Sequence, residues 1–417
     1  MTRIATYVVD DTCTEQMFQA STWLLGRAIQ MHWSPISHPG WMGVPNLFSN
    51  GRAQRTDSFK TMIHFLSVCR NLTSLALTGI IVSGEHQHAI YSLPHLRKIT
   101  LRSARFQNTA VKIPKHKVTH LRLLNVLSEV GLSHILHQTS STLTTLQISE
   151  GPAKAFSLRT PRCPRLTTFT HSSPRSENKQ VWSFLERNPT IRIIRLNARY
   201  CLPDQGPILL PTLSKMTASW EFGRFFLARP ELIEFHQHPS YNSGSVRGLW
   251  SCLKHAQRAQ LHPSRLEQLR VAFFHYSDDL GALPVISHVF GSSLCRLHIW
   301  VEGHSIGWPP YPRYTYLLGG WTRLNGPGPY PGNQVNVEFA RLRFIQVSFG
   351  VQKGVKFPKR TCKMLLMNSI LPLCPALEEA LFTAISSYDA IEREEPGDGM
   401  QLRIRKNGRK WDLAPQN

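Results

Sequence analysis

The amino-acid sequence predicts an α/β solenoid, in which a short strand, a turn and a helix recur along the chain. The first observation is a recurring apolar triplet with the spacing Leu-x-x-Leu-x-Leu, as in Leu72, Leu75 and Leu77. The second is a proline or cysteine just before many triplets, where it ends the preceding helix or turn. The third is helical apolar spacing between triplets, as at Trp182 and Leu185. One such unit cannot bury its apolar face alone, whereas stacked units share a core.

The spacing of the triplets indicates the class of repeat. The first seven triplets begin at positions 72, 96, 118, 143, 166, 191 and 213, which are 22 to 25 residues apart. This period is that of leucine-rich repeats. After position 213 the intervals range from 19 to 48 residues, so the array becomes irregular and carries insertions. We therefore predict an irregular leucine-rich-repeat solenoid over residues 56–385, a horseshoe with parallel strands on its concave face and helices on its convex face.

Three of the triplets follow a cysteine, at Cys69, Cys163 and Cys374. These rows resemble the leucine-rich repeats of F-box/LRR proteins, the substrate-recognition subunits of cullin-type ubiquitin ligases. The resemblance covers roughly residues 56–385. It implies a non-catalytic scaffold that recognises a substrate protein and has a Skp1-like adaptor as a partner.

The chain departs from that family in two respects. The first six repeats lack the usual Asn or Cys eight residues after the leading apolar position, so no internal asparagine ladder is expected. Residues 1–55 also lack the Leu-Pro and acid with which an F-box opens.

Residues 1–55 contain one predicted helix. Thr12 and Glu15 form a capping-box pattern, and apolar residues follow at helical spacing as far as Ala28 and Ile29. We predict an N-terminal helical cap over the first repeat, and the alternative is a degenerate adaptor-binding segment. The first residues lack the apolar stretch of a secretion signal, so we expect an intracellular protein, cytoplasmic or nuclear.

The charge of the chain is strongly basic, since 48 Lys and Arg against 26 Asp and Glu give a net charge of +22. No acid occurs from residue 86 to 128 or from 339 to 377. Successive strand side chains point to opposite faces, so the residues between the apolar positions point away from the core. Reading these positions gives the predicted partner-binding residues of the concave face: Lys98, Arg102, His120, Arg122, Arg195, Lys215, Arg270 and Arg296.

An electropositive face that is poor in large apolar residues favours an acidic or phosphorylated protein partner. Guanidinium groups fit carboxylate and phosphate groups in a bidentate manner. The alternatives are binding of nucleic acid or another polyanion, and a solvated basic surface without specificity. The sequence contains no recognised nucleic-acid module and no basic helix, so the protein partner is favoured. No membrane partner is expected.

One motif has the pattern of a catalytic serine. Residues 303–307 match G-x-S-x-G with Ser305 at the centre, directly after an apolar strand. A nucleophile elbow must enter a helix at once, whereas Trp308, Pro309 and Pro310 follow here. We therefore predict no enzyme and no catalytic residue, with a serine hydrolase using Ser305 as the alternative.

Three histidine pairs have spacings that metal sites use: His86 with His88, His134 with His137, and His236 with His238. None is accompanied by a nearby Cys or acid in a ligand-like cluster. We predict no metal and no cofactor.

Two segments interrupt or follow the array. Residues 306–332 combine prolines, glycines and aromatic residues, which predicts an extended loop inserted into the repeats. Residues 386–417 are predicted to be a C-terminal linker and basic tail. The basic run from Arg403 to Lys410 is typical of a nuclear import signal or a solvated end.

Overall fold

The structure is a computed structural model that describes just under half of the chain. The described residues are 5–8, 28–32, 72–78, 81–106, 117–126, 129–149, 162–172, 178–196, 210–223, 226–227, 229, 231–237, 265–273, 286–287, 289–301, 338–350, 359–385, 401–408 and 410–413. The chain divides into two compact units. Unit 1 comprises Met1–Ile193 and Ile208–Thr212, and unit 2 comprises Ile194–Pro207 and Leu213–Asn417.

Unit 1 is built on strands that follow one another in parallel. They are β1 (Ala5–Val8), β2 (Ala28–His32), β3 (Ser74–Thr78), β4 (Ile81–Val82), β5 (Lys98–Arg102), β6 (Arg105–Phe106), β7 (His120–Leu124), β8 (Thr145–Ser149) and β9 (Thr168–Ser172). The main sheet has the order β1-β2-β3-β5-β7-β8-β9, and β4 pairs separately with β6. Each neighbouring pair in the main sheet is parallel and in register. The predicted strand in each repeat is therefore confirmed here.

The core of unit 1 consists of the apolar triplets and the helices beside them. Leu75 pairs in register with Ile99, and Ile99 with Leu121, and all three are buried. In the described part of unit 1 the helices are α1 (Gly84–Tyr91), α2 (Glu129–Thr139) and α3 (Asn178–Arg187). Trp182 and Leu185 of α3 are fully buried, as the helical spacing predicts. Burial of such side chains is the main favourable contribution to folding.

Threonine hydroxyls perform the task that an asparagine ladder would perform. In each case the hydroxyl of the residue just before a triplet donates to the backbone carbonyl of the first triplet residue in the preceding repeat. The pairs are Thr142 to Val118 at 2.7 Å, Thr190 to Leu166 at 2.9 Å and Thr212 to Ile191 at 3.0 Å. In unit 2, Ser293 makes the same contact to Leu266 at 2.9 Å. We call this set the hydroxyl ladder. It satisfies backbone carbonyls that would otherwise lose their hydrogen bonds to water.

Substitution of Thr142 by valine will lower the free energy of unfolding by about 1 kcal/mol, because the variant keeps the shape of the side chain and loses its hydrogen bonds. Denaturant unfolding of the two proteins measures the difference. The matched control is Thr145→Val. Thr145 is half-buried on the side of β8 opposite the buried Leu146 and Ile148, and its side chain makes no hydrogen bond to a described residue. Equal losses in the two variants would contradict a stabilising role of the ladder.

One asparagine is also buried between repeats. The Asn188 side chain accepts from the Cys163 backbone N–H at 2.7 Å and donates to the Phe184 carbonyl at 2.7 Å. It lies directly before Pro189, at the end of α3, and therefore links this helix to the start of the preceding repeat's strand.

The N-terminal segment differs from the prediction where it is described. Ala28 and Ile29, expected at the end of the predicted capping helix, lie in strand β2, which pairs in parallel with both β1 and β3. The expected helical conformation is thus wrong for these two residues, because pairing along the sheet overrides their helical spacing. The rest of the predicted helix, from Thr12 onwards, lies outside the described residues.

Unit 2 continues the parallel pattern and ends differently. Its strands are β11 (Lys215–Ala218), β12 (Glu234–Gln237), β13 (Gln268–Phe273), β14 (Arg296–Val301), β15 (Phe344–Gly350), β16 (Glu379–Ile385), β17 (Gln401–Asn407) and β18 (Lys410–Leu413). Strand β10 (Ile193–Leu196) begins at the last residue before the boundary. Strands β11 to β16 are parallel neighbours in chain order, whereas β17 and β18 are added in antiparallel orientation.

The predicted basic tail is therefore folded. Residues Gln401–Asn407 pair with β16, and Lys410–Leu413 form the next strand. Leu402 and Ile404 are buried, which explains why this segment forms a strand although its sequence is rich in Arg and Lys. The predicted linker before it, residues 386–400, lies outside the described residues.

The helices formed by the described residues of unit 2 are short. They are α4 (Trp220–Gly223) and α5 (Lys359–Leu365), and α5 continues as a π-helical turn (Leu366–Ile370) and a 3₁₀ turn (Leu371–Leu373). In α5, Met364 is 44% exposed, whereas Leu365 is buried. None of the helices formed by the described residues is long and apolar enough to cross a membrane.

Candidate functional site

Four cationic side chains lie together on one side of the sheet of unit 1. We call the side opposite the buried apolar triplets the outward face. Lys98 and Arg102 of β5 and His120 and Arg122 of β7 are all exposed on it. Lys98 is the register partner of His120, and Thr100, between Lys98 and Arg102, is the partner of Arg122. Adjacent strands are about 4.8 Å apart, so these four side chains form one patch.

The next two strands carry neutral hydrogen-bonding groups on the same face. These residues are Thr145, Gln147, Ser149, Thr168, Thr170 and Ser172. All six are half-buried, and they are aligned row by row by the register of β7, β8 and β9. The described strands of unit 1 contain no Asp or Glu. The outward face of unit 1 therefore combines cations with hydroxyl and amide groups.

The cations of this patch are not neutralised within the described part of the chain. Lys98, Arg102 and Arg122 form no ion pair with any described residue. His120 Nδ1 lies 2.8 Å from the Thr119 hydroxyl, a contact that orients the imidazole ring. A patch of this kind attracts anions, because no carboxylate of the described residues competes for its donors.

The remaining four predicted residues lie elsewhere. Arg195 is exposed on β10, opposite the buried Ile194 and Leu196. Lys215, Arg270 and Arg296 lie on the outward face of unit 2, where Arg296 is exposed and the other two are half-buried. The eight residues thus occupy the strand positions that the alternation predicts, and only the four on β5 and β7 form a patch within unit 1.

The expectation of a uniformly electropositive face is wrong for unit 2. Glu234 lies between Lys215 and Gln268 in the register of β11, β12 and β13. Its Oε1 atom is 2.8 Å from Lys215 Nζ and 2.6 Å from His236 Nε2. Burial alone would raise the pKa of Glu234, but the hydrogen bonds and charges of His236 and Lys215 outweigh it and lower the pKa to about 2. This carboxylate is therefore anionic and already paired.

A second acid, Glu379, also pairs with cations of unit 2. Glu379 of β16 accepts from Arg403 Nε at 3.0 Å and from Arg405 Nε at 2.9 Å, across the antiparallel pairing with β17. Sequence reasoning missed both acids, although each lies two residues after a leading apolar residue, Leu232 or Leu377. That position is the one from which Lys98 and Lys215 were predicted, so the signal was present.

The outward face of unit 2 is also more apolar than predicted. Trp300 and Leu381 are buried, although they occupy alternate positions with His298 and Glu379 on their strands. Phe344 is half-buried on the same face of β15. The expectation of a face poor in large apolar residues therefore fails for unit 2.

A histidine and a serine lie within hydrogen-bonding distance in unit 2. His298 Nε2 is 2.8 Å from Ser348 Oγ, which also contacts Thr383 Oγ1 at 2.7 Å and accepts from Gln346 Nε2 at 3.2 Å. Burial, with the charges of Arg270 and His236, lowers the pKa of His298 well below its usual value. Ser348 has 0% exposure and Thr383 is also buried. The serine is closed to a substrate, so this network links β14, β15 and β16 rather than forming a nucleophile site.

The other predicted motifs contribute no site among the described residues. Ser305 and the segment 306–332 lie outside them. In the described part of the chain, no group of three or more His, Cys, Asp or Glu could hold a metal ion. His86 instead completes a capping box with Ser83 at the start of α1. The buried thiols of Cys163, Cys362 and Cys374 have pKa values raised by burial, to about 11 for Cys163 and about 12 for the other two.

No protein-family model matches the chain, and no curated protein matches it. Among solved structures, the chain is similar to a leucine-rich-repeat protein of Leptospira interrogans, with 13% sequence identity and a TM-score of 0.25. The match covers 76% of this chain and 73% of that chain. The repeat fold is shown by the parallel strand register within each unit.

Proposed function

We propose that the protein is a non-catalytic binding protein that recognises an acidic or phosphorylated segment of a protein partner on the outward face of unit 1. The observation that carries this proposal is the patch of Lys98, Arg102, His120 and Arg122, exposed on strands without a carboxylate. An anion that binds there gains charge-assisted hydrogen bonds, and no ion pair between described residues must first be broken.

The arrangement of the patch favours a peptide over nucleic acid. On the outward face of β5, β7, β8 and β9, the described cations lie on the two neighbouring strands β5 and β7, whereas β8 and β9 present hydroxyl and amide groups. One or two anionic groups fit above β5 and β7, and the polar backbone of an extended segment fits above β8 and β9. A nucleic-acid backbone carries a charge at every nucleotide and requires cations along its whole length.

An array of peptides with identical flanks and a central phosphoserine, glutamate or serine tests the proposal. We expect binding of phosphoserine peptides, weaker binding of glutamate peptides and none of serine peptides, since a phosphate has about −1.5 to −2 charge and three acceptor oxygens. A single-stranded DNA oligomer is the comparison. The proposal would be overturned if neither the phosphoserine nor the glutamate peptides bind. Tighter binding of DNA with a steep salt dependence would overturn it too.

The finer proposal is that the chain delivers such a partner to a ubiquitin ligase, as F-box/LRR proteins do. Its support is the resemblance of the cysteine-bearing rows, at Cys69, Cys163 and Cys374. Mild affinity purification from cells, followed by mass spectrometry, tests it. Recovery of a Skp1-like adaptor together with a cullin is the expected result, and recovery of neither would remove the ligase role while leaving the binding proposal intact.

A further inference from the structure

Units 1 and 2 each present a lysine and a histidine on neighbouring strands of the outward face. In unit 1 these residues are Lys98 of β5 and His120 of β7, which are register partners. In unit 2 they are Lys215 of β11 and His236 of β12, where the register partner of Lys215 is Glu234. Among the described residues, a carboxylate lies beside the pair in unit 2, and none lies beside the pair in unit 1.

The Glu234 carboxylate binds its neighbours as an incoming anion would. A single oxygen, Oε1, contacts both Lys215 Nζ and His236 Nε2 within 2.8 Å. The side chains of Lys215, His236 and Glu234 are only 24%, 18% and 17% exposed, whereas Lys98 and His120 are exposed to solvent. A ligand anion that bound Lys215 and His236 together in the same way would have to compete with the Glu234 carboxylate.

We infer that Glu234 is a specificity-determining residue that fills the anion position formed by Lys215 and His236 from within the chain, so that anionic partners bind at the patch of unit 1 and not at these two residues. This inference rests on the proposed function. It makes Glu234 an internal competitor whose charge and hydrogen bonds imitate those of the ligand.

Removal of the Glu234 charge should open a second anion site. Glu234→Gln keeps the size of the side chain, and Lys215 and His236 then lose their carboxylate partner. The substitution is made in a variant that also carries Lys98→Gln and Arg122→Gln. These two changes weaken binding at the patch of unit 1, so that binding at Lys215 and His236 can be measured. The probe is a fluorescein-labelled hexaglutamate peptide at low salt, with binding followed by fluorescence anisotropy. In this background we expect Glu234→Gln to tighten binding about tenfold, as a recovered close charge pair would.

The matched control is Glu231→Gln, which removes the same charge three residues earlier. Glu231 is exposed and forms no ion pair with Lys215 or His236. A gain from Glu234→Gln that exceeds that of the control, and that disappears when Lys215→Gln is added, supports the inference. Equal gains in the two variants would overturn it, because net charge alone would then explain the effect.

The result separates the inference from the proposed function. If the unaltered protein binds the probe and Glu234→Gln adds nothing, the inference fails and the proposed function stands. If the unaltered protein does not bind and Glu234→Gln confers binding, the patch of unit 1 is not the site and the masking role of Glu234 is supported. Circular dichroism and a thermal melt of each variant identify any loss of fold, and Glu234→Ala provides a second removal of the carboxylate.

Discussion

Reversal of two charges in unit 1, Lys98→Glu together with Arg122→Glu, will weaken binding of an anionic peptide at least about a hundredfold, since loss of close charge pairs costs several kcal/mol and repulsion adds to it. Both side chains are exposed and form no ion pair with a described residue, so their reversal should leave the fold intact. Titration of the best phosphoserine peptide, monitored by fluorescence anisotropy, gives the affinities of the two proteins.

The control for this pair changes the net charge by the same amount elsewhere. Lys359→Glu with Lys363→Glu reverses two exposed cations of α5 in unit 2. We expect less than a threefold change in this control, because its charges are exposed to solvent and screened by salt. A similar loss in both double variants would mean that the peptide responds to total charge, and the patch would have no special role.

Acidification will destabilise unit 1 by about 3 kcal/mol through His171 alone, between about pH 7 and pH 4. His171 is 2% exposed, stacks on Phe169 with a centroid distance of 6.0 Å, and occupies an otherwise apolar triplet position. Burial lowers its pKa from 6.5 to about 4. As the pH falls below 6.5, the unfolded chain binds a proton that the folded unit does not bind, so the equilibrium shifts towards unfolding.

The variant His171→Leu isolates this contribution. Wild type and variant share every other titrating group, so the difference between their pH dependences belongs to His171. We expect the free energy of unfolding of the variant to fall by about 3 kcal/mol less than that of the wild type over this range. Parallel pH profiles from denaturant unfolding would show that His171 gains its proton equally in the folded and unfolded states.

The repeat fold could be predicted from the sequence because its signal is local and periodic. Leu75, Ile99 and Leu121 are register partners in three successive strands, and each is the second residue of its triplet. The hydroxyl ladder could not be predicted from the usual repeat pattern, which places an asparagine elsewhere. Thr142 and Thr190 make the corresponding hydrogen bonds from the position just before the triplet. A single polar residue at that position does not by itself indicate such a bond.

The two ends of the chain were harder to predict. Ala28 and Ile29 fit a helix by spacing, and only their pairing with β1 and β3 places them in a strand. Residues Gln401–Asn407 have the composition of a basic tail, and Arg403 and Arg405 are held by Glu379 of the preceding strand. Both errors concern partners distant in sequence, which composition and periodicity do not reveal.

The site could be predicted in part. Strand alternation places Lys98, Arg102 and Arg122 on the outward face, and their common patch follows once the register of β5 and β7 is known. The balance of charge in unit 2 was misjudged because only cations were read from the outward positions. Glu234 occupies one of these positions, and its contacts with Lys215 and His236 give that part of the face a mixed charge.

Photo-crosslinking of a phosphoserine peptide, followed by mass-spectrometric mapping, locates the binding site on the chain. The peptide carries a benzophenone group next to the phosphoserine and is bound to the full chain at low salt. We expect crosslinks within Lys98–Arg102 and His120–Leu124, which disappear when Lys98 and Arg122 are replaced by glutamate. Crosslinks confined to unit 2, or unchanged by that double substitution, would contradict binding at the patch of unit 1.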